Sequence, residues 1–270
     1  MEYEAQKVGE VEGLGTIYRI NAPLDGQLQA FKKVGIITLA TPEEVAQIRL
    51  ANIPNNESRT NVAPIAIRGG KTILLRDSPL MNPLMAAYAV NAHGKGEYPL
   101  LGKEVYEVAE AIAKAETEIA PEDRSAILVS QDGDFGLKTE MDEARFLLRE
   151  HNQKYFEKFV KNGKEGQIPF YNLTGNSKDR AVVNYLWFSS PQSESNLICR
   201  SRSLYDDNSA FAVLRTAECS APKKGYTLIE IEKANSEIIP VVFERAKVSD
   251  LASRVSRDLN KSLLEKLREQ

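Results

Sequence analysis

The run Ser125-Ala126-Ile127-Leu128-Val129-Ser130 constrains the fold of this chain more than any other stretch. It has the length of a strand and is apolar without alternation. A strand with one wet face alternates, whereas a strand covered on both faces does not. The run therefore predicts a sheet with a layer on each side, of the kind found in mixed α and β proteins. It lies in the most acidic part of the chain. Residues 101–150 hold thirteen acidic and six basic side chains, a net of −7, while the whole chain carries only −3. The remaining residues thus share a small positive excess.

Local signals place the elements around it. Thr16 to Ile20 and Val34 to Leu39 read as strands. Thr41-Pro42-Glu43-Glu44 is a helix start: Thr41 caps, Pro42 suits the first turn, and Glu44 reaches back as in a capping box. Two apolar runs, Val62 to Ile67 and Thr72 to Leu75, joined through Gly69-Gly70, predict a β-hairpin. A helix follows Pro83. Val105, Val108, Ile112 and Ala115 share one face of a helix over 104–118. A longer helix is expected over 139–161, with Met141, Ala144, Leu148, His151, Tyr155 and Phe159 as its buried stripe. The glycines and proline of 162–169 mark a boundary. Beyond it, five strands (181–188, 197–204, 210–215, 226–231 and 238–243) predict an antiparallel meander, closed by a helix from about Ser249. The expected class is α+β: a mixed strand and helix region over 1–163, then a β-meander with a C-terminal helix over 164–270, the two able to pack as a single domain.

Composition excludes several chemistries. The chain has 270 residues, 42% of them hydrophobic, enough to bury a core without disulfides. Two histidines, His93 and His151, and two cysteines, Cys199 and Cys219, show no paired spacing for a Cys/His zinc centre. No G-x-S-x-G elbow supports a serine nucleophile. The unpaired thiols and a polar, charged start point to a reducing, cytoplasmic setting, and no apolar run is long enough for a membrane span. No membrane partner is expected.

Two aspartates, Asp132 and Asp134, follow the apolar run on either side of Gly133. Rigidly held carboxylate oxygens suit Mg2+ or Mn2+. The segment Ser130-Gln131-Asp132-Gly133-Asp134-Phe135 resembles the S-G-D-x-D-F element of PIN-like and NYN-type metal-dependent ribonucleases, with Gln131 at the usual glycine. That resemblance implies an acidic site holding both aspartates. Asp77, after the strand ending near residue 76, is the expected third ligand, with Glu104 and Glu107 as further carboxylates. An EF-hand does not fit, because Gly136 and Leu137 fall where a ligand and a glycine are needed.

Basic residues suggest a different site. Arg68-Gly69-Gly70-Lys71-Thr72 ends like a phosphate-binding loop, but Ile65 stands at the required glycine and a strand follows. A hairpin tip carrying Arg68 and Lys71 remains an anion contact. Arg200 and Arg202 alternate along a predicted strand and share a face. With Arg180, Tyr185 and Trp187 they predict a β-surface that holds phosphates and stacks bases. The leading reading is a non-enzymatic protein that binds nucleic acid or a protein assembly through this surface and needs no cofactor. The alternative is a divalent-metal-dependent nuclease or phosphodiesterase using Asp77, Asp132 and Asp134 with Mg2+ or Mn2+. A third is a structural subunit forming homo-oligomers through the C-terminal helix.

Overall fold

The structure is a computed structural model and describes residues 3–54, 57–95, 99–160, 166–189, 195–199 and 208–215. Among these the chain forms two sheets and six α-helices, an α+β architecture. The eight-stranded sheet contains β1 (Gln6–Val11), β2 (Gly15–Ala22), β3 (Glu57–Arg59), β8 (Phe135–Leu137), β9 (Ile168–Tyr171), β11 (Trp187–Ser189), β12 (Asn196–Ile198) and β13 (Asn208–Leu214), in the order β1-β2-β13-β3-β11-β12-β9-β8. The five-stranded sheet contains β4 (Ala63–Ala66), β5 (Ile73–Leu75), β6 (Leu100–Gly102), β7 (Ala126–Leu128) and β10 (Arg180–Val183), in the order β6-β10-β4-β5-β7. Every pairing in the smaller sheet is antiparallel. Strands from both sides of residue 163 share each sheet.

The helices are α1 (Leu24–Lys33), α2 (Pro42–Leu50), α3 (Pro83–Gly94), α4 (Lys103–Ala115), α5 (Asp142–Leu148) and α6 (Asn152–Phe159). None is long and apolar enough to cross a membrane, among the described residues. The start of α2 is a capping box: the Glu44 N–H donates to Thr41 Oγ1 at 3.1 Å, and the Thr41 N–H donates to Glu44 Oε2 at 2.8 Å. Thr41→Ala removes one acceptor and is expected to cost about 1 kcal/mol in a urea melt. On α4 the buried side chains are Tyr106, Ala109 and Ala113 rather than the expected Val105, Val108, Ile112 and Ala115. Val105, Val108 and Ile112 are half-buried and Ala115 is exposed, while Lys103–Glu107 (2.6 Å) and Glu110–Lys114 (3.0 Å) pair on the wet side.

Residues 34–39 form no strand; the chain before them is helical, with Leu24, Leu28 and Phe31 of α1 buried one turn apart. The long helix over 139–161 is two helices separated by a 3-10 turn at Arg149–His151. Arg149 takes a positive φ of 47°, which a continuous right-handed helix excludes. Ile168 and Pro169 belong to β9 and not to a linker. The run 181–188 is split between the two sheets as β10 and β11, and β13 lies between β2 and β3, so consecutive C-terminal strands are not all neighbours. Residues 226–231, 238–243 and the terminal helix lie outside the described residues.

The apolar run 125–130 becomes β7, at the edge of the five-stranded sheet and antiparallel to β5. Ala126, Ile127 and Val129 are buried, so both faces are covered as expected, but the covering layers enclose an antiparallel sheet. That difference decides where the flanking aspartates go.

Candidate functional site

In an antiparallel pair, residues following the two strands emerge at opposite ends. The Arg76 N–H donates to Ser125 O at 2.9 Å, just before β7, while the Val129 N–H donates to Thr72 O at 2.8 Å, just before β5. Asp77 therefore lies at one end of the β5–β7 pair, and Asp132 and Asp134 lie beyond the other. Asp77 (φ 53°) accepts a hydrogen bond from Asn61 Nδ2 at 3.1 Å. The expected triad Asp77, Asp132 and Asp134 does not form one cation cage: among the described residues these three are not gathered around a common point. Only parallel strands would have brought all three carboxylates to one end.

The end that carries Asp132 and Asp134 gathers three loops. The first is the β4–β5 hairpin tip. Its turn is closed by the Gly70 N–H donating to Ile67 O at 3.1 Å, with Gly69 at a φ of 81°, a conformation that suits glycine. The Tyr106 hydroxyl reaches from α4 to donate to Lys71 O at 2.9 Å. The second loop joins β7 to β8. There the Ser130 N–H donates to the buried Glu143 carboxylate at 2.6 Å. The third joins β9 to β10 and ties the other two together. The Asn172 N–H donates to Asp134 Oδ1 at 3.1 Å, and Asn172 Nδ2 donates to Gln131 O at 3.1 Å. Thr72 Oγ1 donates to Leu173 O at 2.8 Å, and the Arg68 N–H donates to Ser177 O at 2.7 Å. Lys71 Nζ donates across the first two loops to Ser130 O at 3.3 Å.

The result is a rigid backbone frame with charged side chains on its rim. Arg68, Lys71, Asp132, Asp134, Lys178, Asp179 and Arg180 are all exposed there. Arg180 opens β10, whose Val182 and Val183 pair with Ala66 and Ile65, so the register carries Arg180 toward the Arg68 side of the hairpin. Its guanidinium also donates to Leu100 O at 3.3 Å. The fold thus brings together the hairpin tip and the Asp-Gly-Asp loop, which the sequence presented as separate sites. Lys178, Ser177 and Asn172 were not anticipated; an Asn-x-x-Gly-Asn-Ser stretch before a strand is the turn signal that marks them.

Other expected site residues fall elsewhere. Trp187 and Tyr185 are 0% exposed. Trp187 lies within the eight-stranded sheet, with the equally buried Arg59 guanidinium 4.7 Å from its ring centroid. Neither aromatic ring is open to a nucleobase. Arg200 and Arg202 lie outside the described residues. Cys199 is buried with a free thiol; burial, and then the nearby Asp134 charge, push its pKa well above the usual thiol value. Asn91 to Gly94 continue α3, so His93 lies on a helix and not in a polar loop.

The linear charge imbalance also changes meaning on folding. Within the acidic block, Arg124 pairs with Asp142 at 3.4 Å and Arg145 with Glu122 at 3.0 Å, besides the two pairs on α4. At the loop end Asp132, Asp134 and Asp179 stand among the basic groups. Acid and base are intermingled over this part of the surface, not segregated.

No family model matches the chain, and no curated protein matches it. Among solved structures it is similar to one described as showing accommodation of massive sequence variation in Nanoarchaeota by the C-type lectin fold. The two share 15% identity over 78% of this chain and 97% of that chain, with a TM-score of 0.49.

Proposed function

We propose that this chain is a binding protein rather than an enzyme, and that it contacts an anionic macromolecule through the three-loop end of its five-stranded sheet. The observation that carries this reading is the meeting of Arg68, Lys71, Lys178 and Arg180 on loops whose backbones are hydrogen-bonded to one another. A rigid frame holds charged groups at fixed spacing, so less order is lost on binding. The separation of Asp77 from Asp132 and Asp134 favours this over the metal-dependent nuclease. Because Trp187 and Tyr185 are buried, recognition rests on phosphates and not on base stacking. Asp132, Asp134 and Asp179 limit the attraction, so binding is weak and selects for the spacing of the anionic groups. The homo-oligomer reading depends on the terminal helix and gains no support from the described residues.

Fluorescence anisotropy with a labelled single-stranded oligonucleotide tests the proposal. Reversing Arg68 and Arg180 to glutamate is expected to weaken binding at least tenfold at low salt. Four phosphate contacts on a single strand give a slope of about −3 in log K against log salt. Absence of binding, or equal binding by the reversed variant, overturns the proposal.

A further inference from the structure

A second group of side chains lies away from the loop end and is independent of the proposal above. Glu43 stands in the first turn of α2, and Glu150 and His151 lie in the 3-10 turn between α5 and α6. One ligand atom from each lies within 4.8 Å of the others, and this is the one such group of three acidic, histidine or cysteine residues among the described residues. His151 Nε2 is 3.7 Å from Glu150 Oε1 and 4.0 Å from Glu43 Oε1. Both separations are too long for direct hydrogen bonds. They are nearer to what one shared cation imposes: bonds of about 2.1 Å at tetrahedral angles set ligand atoms about 3.4 Å apart.

The surroundings orient one ligand and compete with a cation for the others. Arg149 Nη1 pairs with the other oxygen of Glu43, Oε2, at 3.2 Å, which leaves Oε1 turned toward the imidazole. An outer partner of this kind fixes the orientation of a ligating carboxylate. The Gln47 carboxamide of α2 also contacts His151 Nε2 and has to turn aside for a cation to bind. Arg76, coupled to Glu43 and Arg149, stays cationic at neutral pH, so the two guanidiniums oppose a bound cation and hold its affinity down. The side chains of Glu43 and His151 are 19% and 17% exposed, and that of Glu150 is 59%, so the group is sheltered on one side and open on the other.

We infer that Glu43, Glu150 and His151 form a divalent transition-metal site of the zinc class, with an open position toward solvent. One imidazole and two carboxylates suit Zn2+ and disfavour Mg2+, which prefers six oxygens in octahedral geometry.

The test is calorimetric titration of the full chain, stripped of metal by chelator, with ZnCl2. Saturable binding of about one equivalent is expected, unaffected by excess Mg2+. Glu150→Gln and His151→Gln are each expected to weaken it at least tenfold. Circular dichroism shows whether each variant keeps its fold, and Glu150 is exposed enough that its variant is expected to. Co2+ bound in place of zinc should absorb in the visible without a thiolate charge-transfer band. No saturable heat, unchanged binding in both variants, or a thiolate band from Cys199 or Cys219 overturns the inference.

Discussion

Gly175→Ala is expected to destabilise the protein by about 3 kcal/mol, at the upper end of the range for overpacking. A Cβ at this position would stand 2.1 Å from the Ile67 carbonyl carbon, 2.4 Å from Ile67 Cα and 2.5 Å from the Arg68 nitrogen. All three are backbone atoms of the hairpin tip, so no side chain can swing away. The β9–β10 loop has to lift off the hairpin. In doing so it breaks the Arg68-to-Ser177 and Thr72-to-Leu173 hydrogen bonds that hold Arg68, Lys71 and Arg180 on one frame. Binding at this end should fall along with stability. Gly69→Ala is the matched control. Its φ of 81° carries a left-handed cost of about 1–2 kcal/mol, but a Cβ there meets nothing within 4 Å. Equal urea midpoints for wild type and Gly175→Ala would show that the two loops do not touch.

What the sequence made legible was chemistry between residues close in the chain. The capping box at Thr41 and the hairpin through Gly69-Gly70 depend on partners at most a few residues apart, and each stands where it was expected. The helix α4 also stands where its periodicity put it, but it buries Tyr106, Ala109 and Ala113, one position on from Val105, Val108 and Ile112. The helix α1 was legible in principle, since Leu24, Leu28 and Phe31 keep helical spacing, but Gly26 and Gln27 interrupt the apolar pattern. The break at Arg149 has no local signature, because the stripe from Ala144 to Phe159 continues through it. Strand direction was the decisive missing fact. Nothing in residues 72–77 or 125–134 states that their strands run antiparallel, yet this alone moves Asp77 to the far end of the sheet. A charge count along the chain likewise does not record where each group lies. The −7 of residues 101–150 already contains the Arg124–Asp142 and Arg145–Glu122 pairs, while Asp132 and Asp134 of the same block stand beside the basic residues of the hairpin tip. The Glu43, Glu150 and His151 group was equally hidden, being drawn from positions over a hundred residues apart.

Trp187→Ala is expected to cost about 3–5 kcal/mol, the range for truncating a fully buried large aromatic side chain. The ring has no exposed surface, and β11 sits inside the eight-stranded sheet between β3 and β12. The Arg59 guanidinium, also fully buried, lies against the ring and donates to Ala22 O at 3.3 Å. Truncation leaves a cavity beside a buried cation, where lost dispersion and poorer shielding of charge act together. Trp187→Phe keeps much of the ring and should lose less. The pair also separates two pictures of this residue. If Trp187 stacked nucleobases, the phenylalanine variant would weaken oligonucleotide binding in proportion to lost ring area while leaving stability near that of wild type. The buried position predicts the reverse: lower stability in a urea melt and unchanged affinity per folded molecule. The sequence held a clue to this. Tyr185, Leu186, Trp187 and Phe188 are four consecutive bulky residues without alternation, the same pattern that marked 125–130 as covered on both faces. All four are 0% exposed. Applied evenly, that rule assigns Trp187 to the core and leaves the loop end to the charged side chains of Arg68, Lys71 and Arg180.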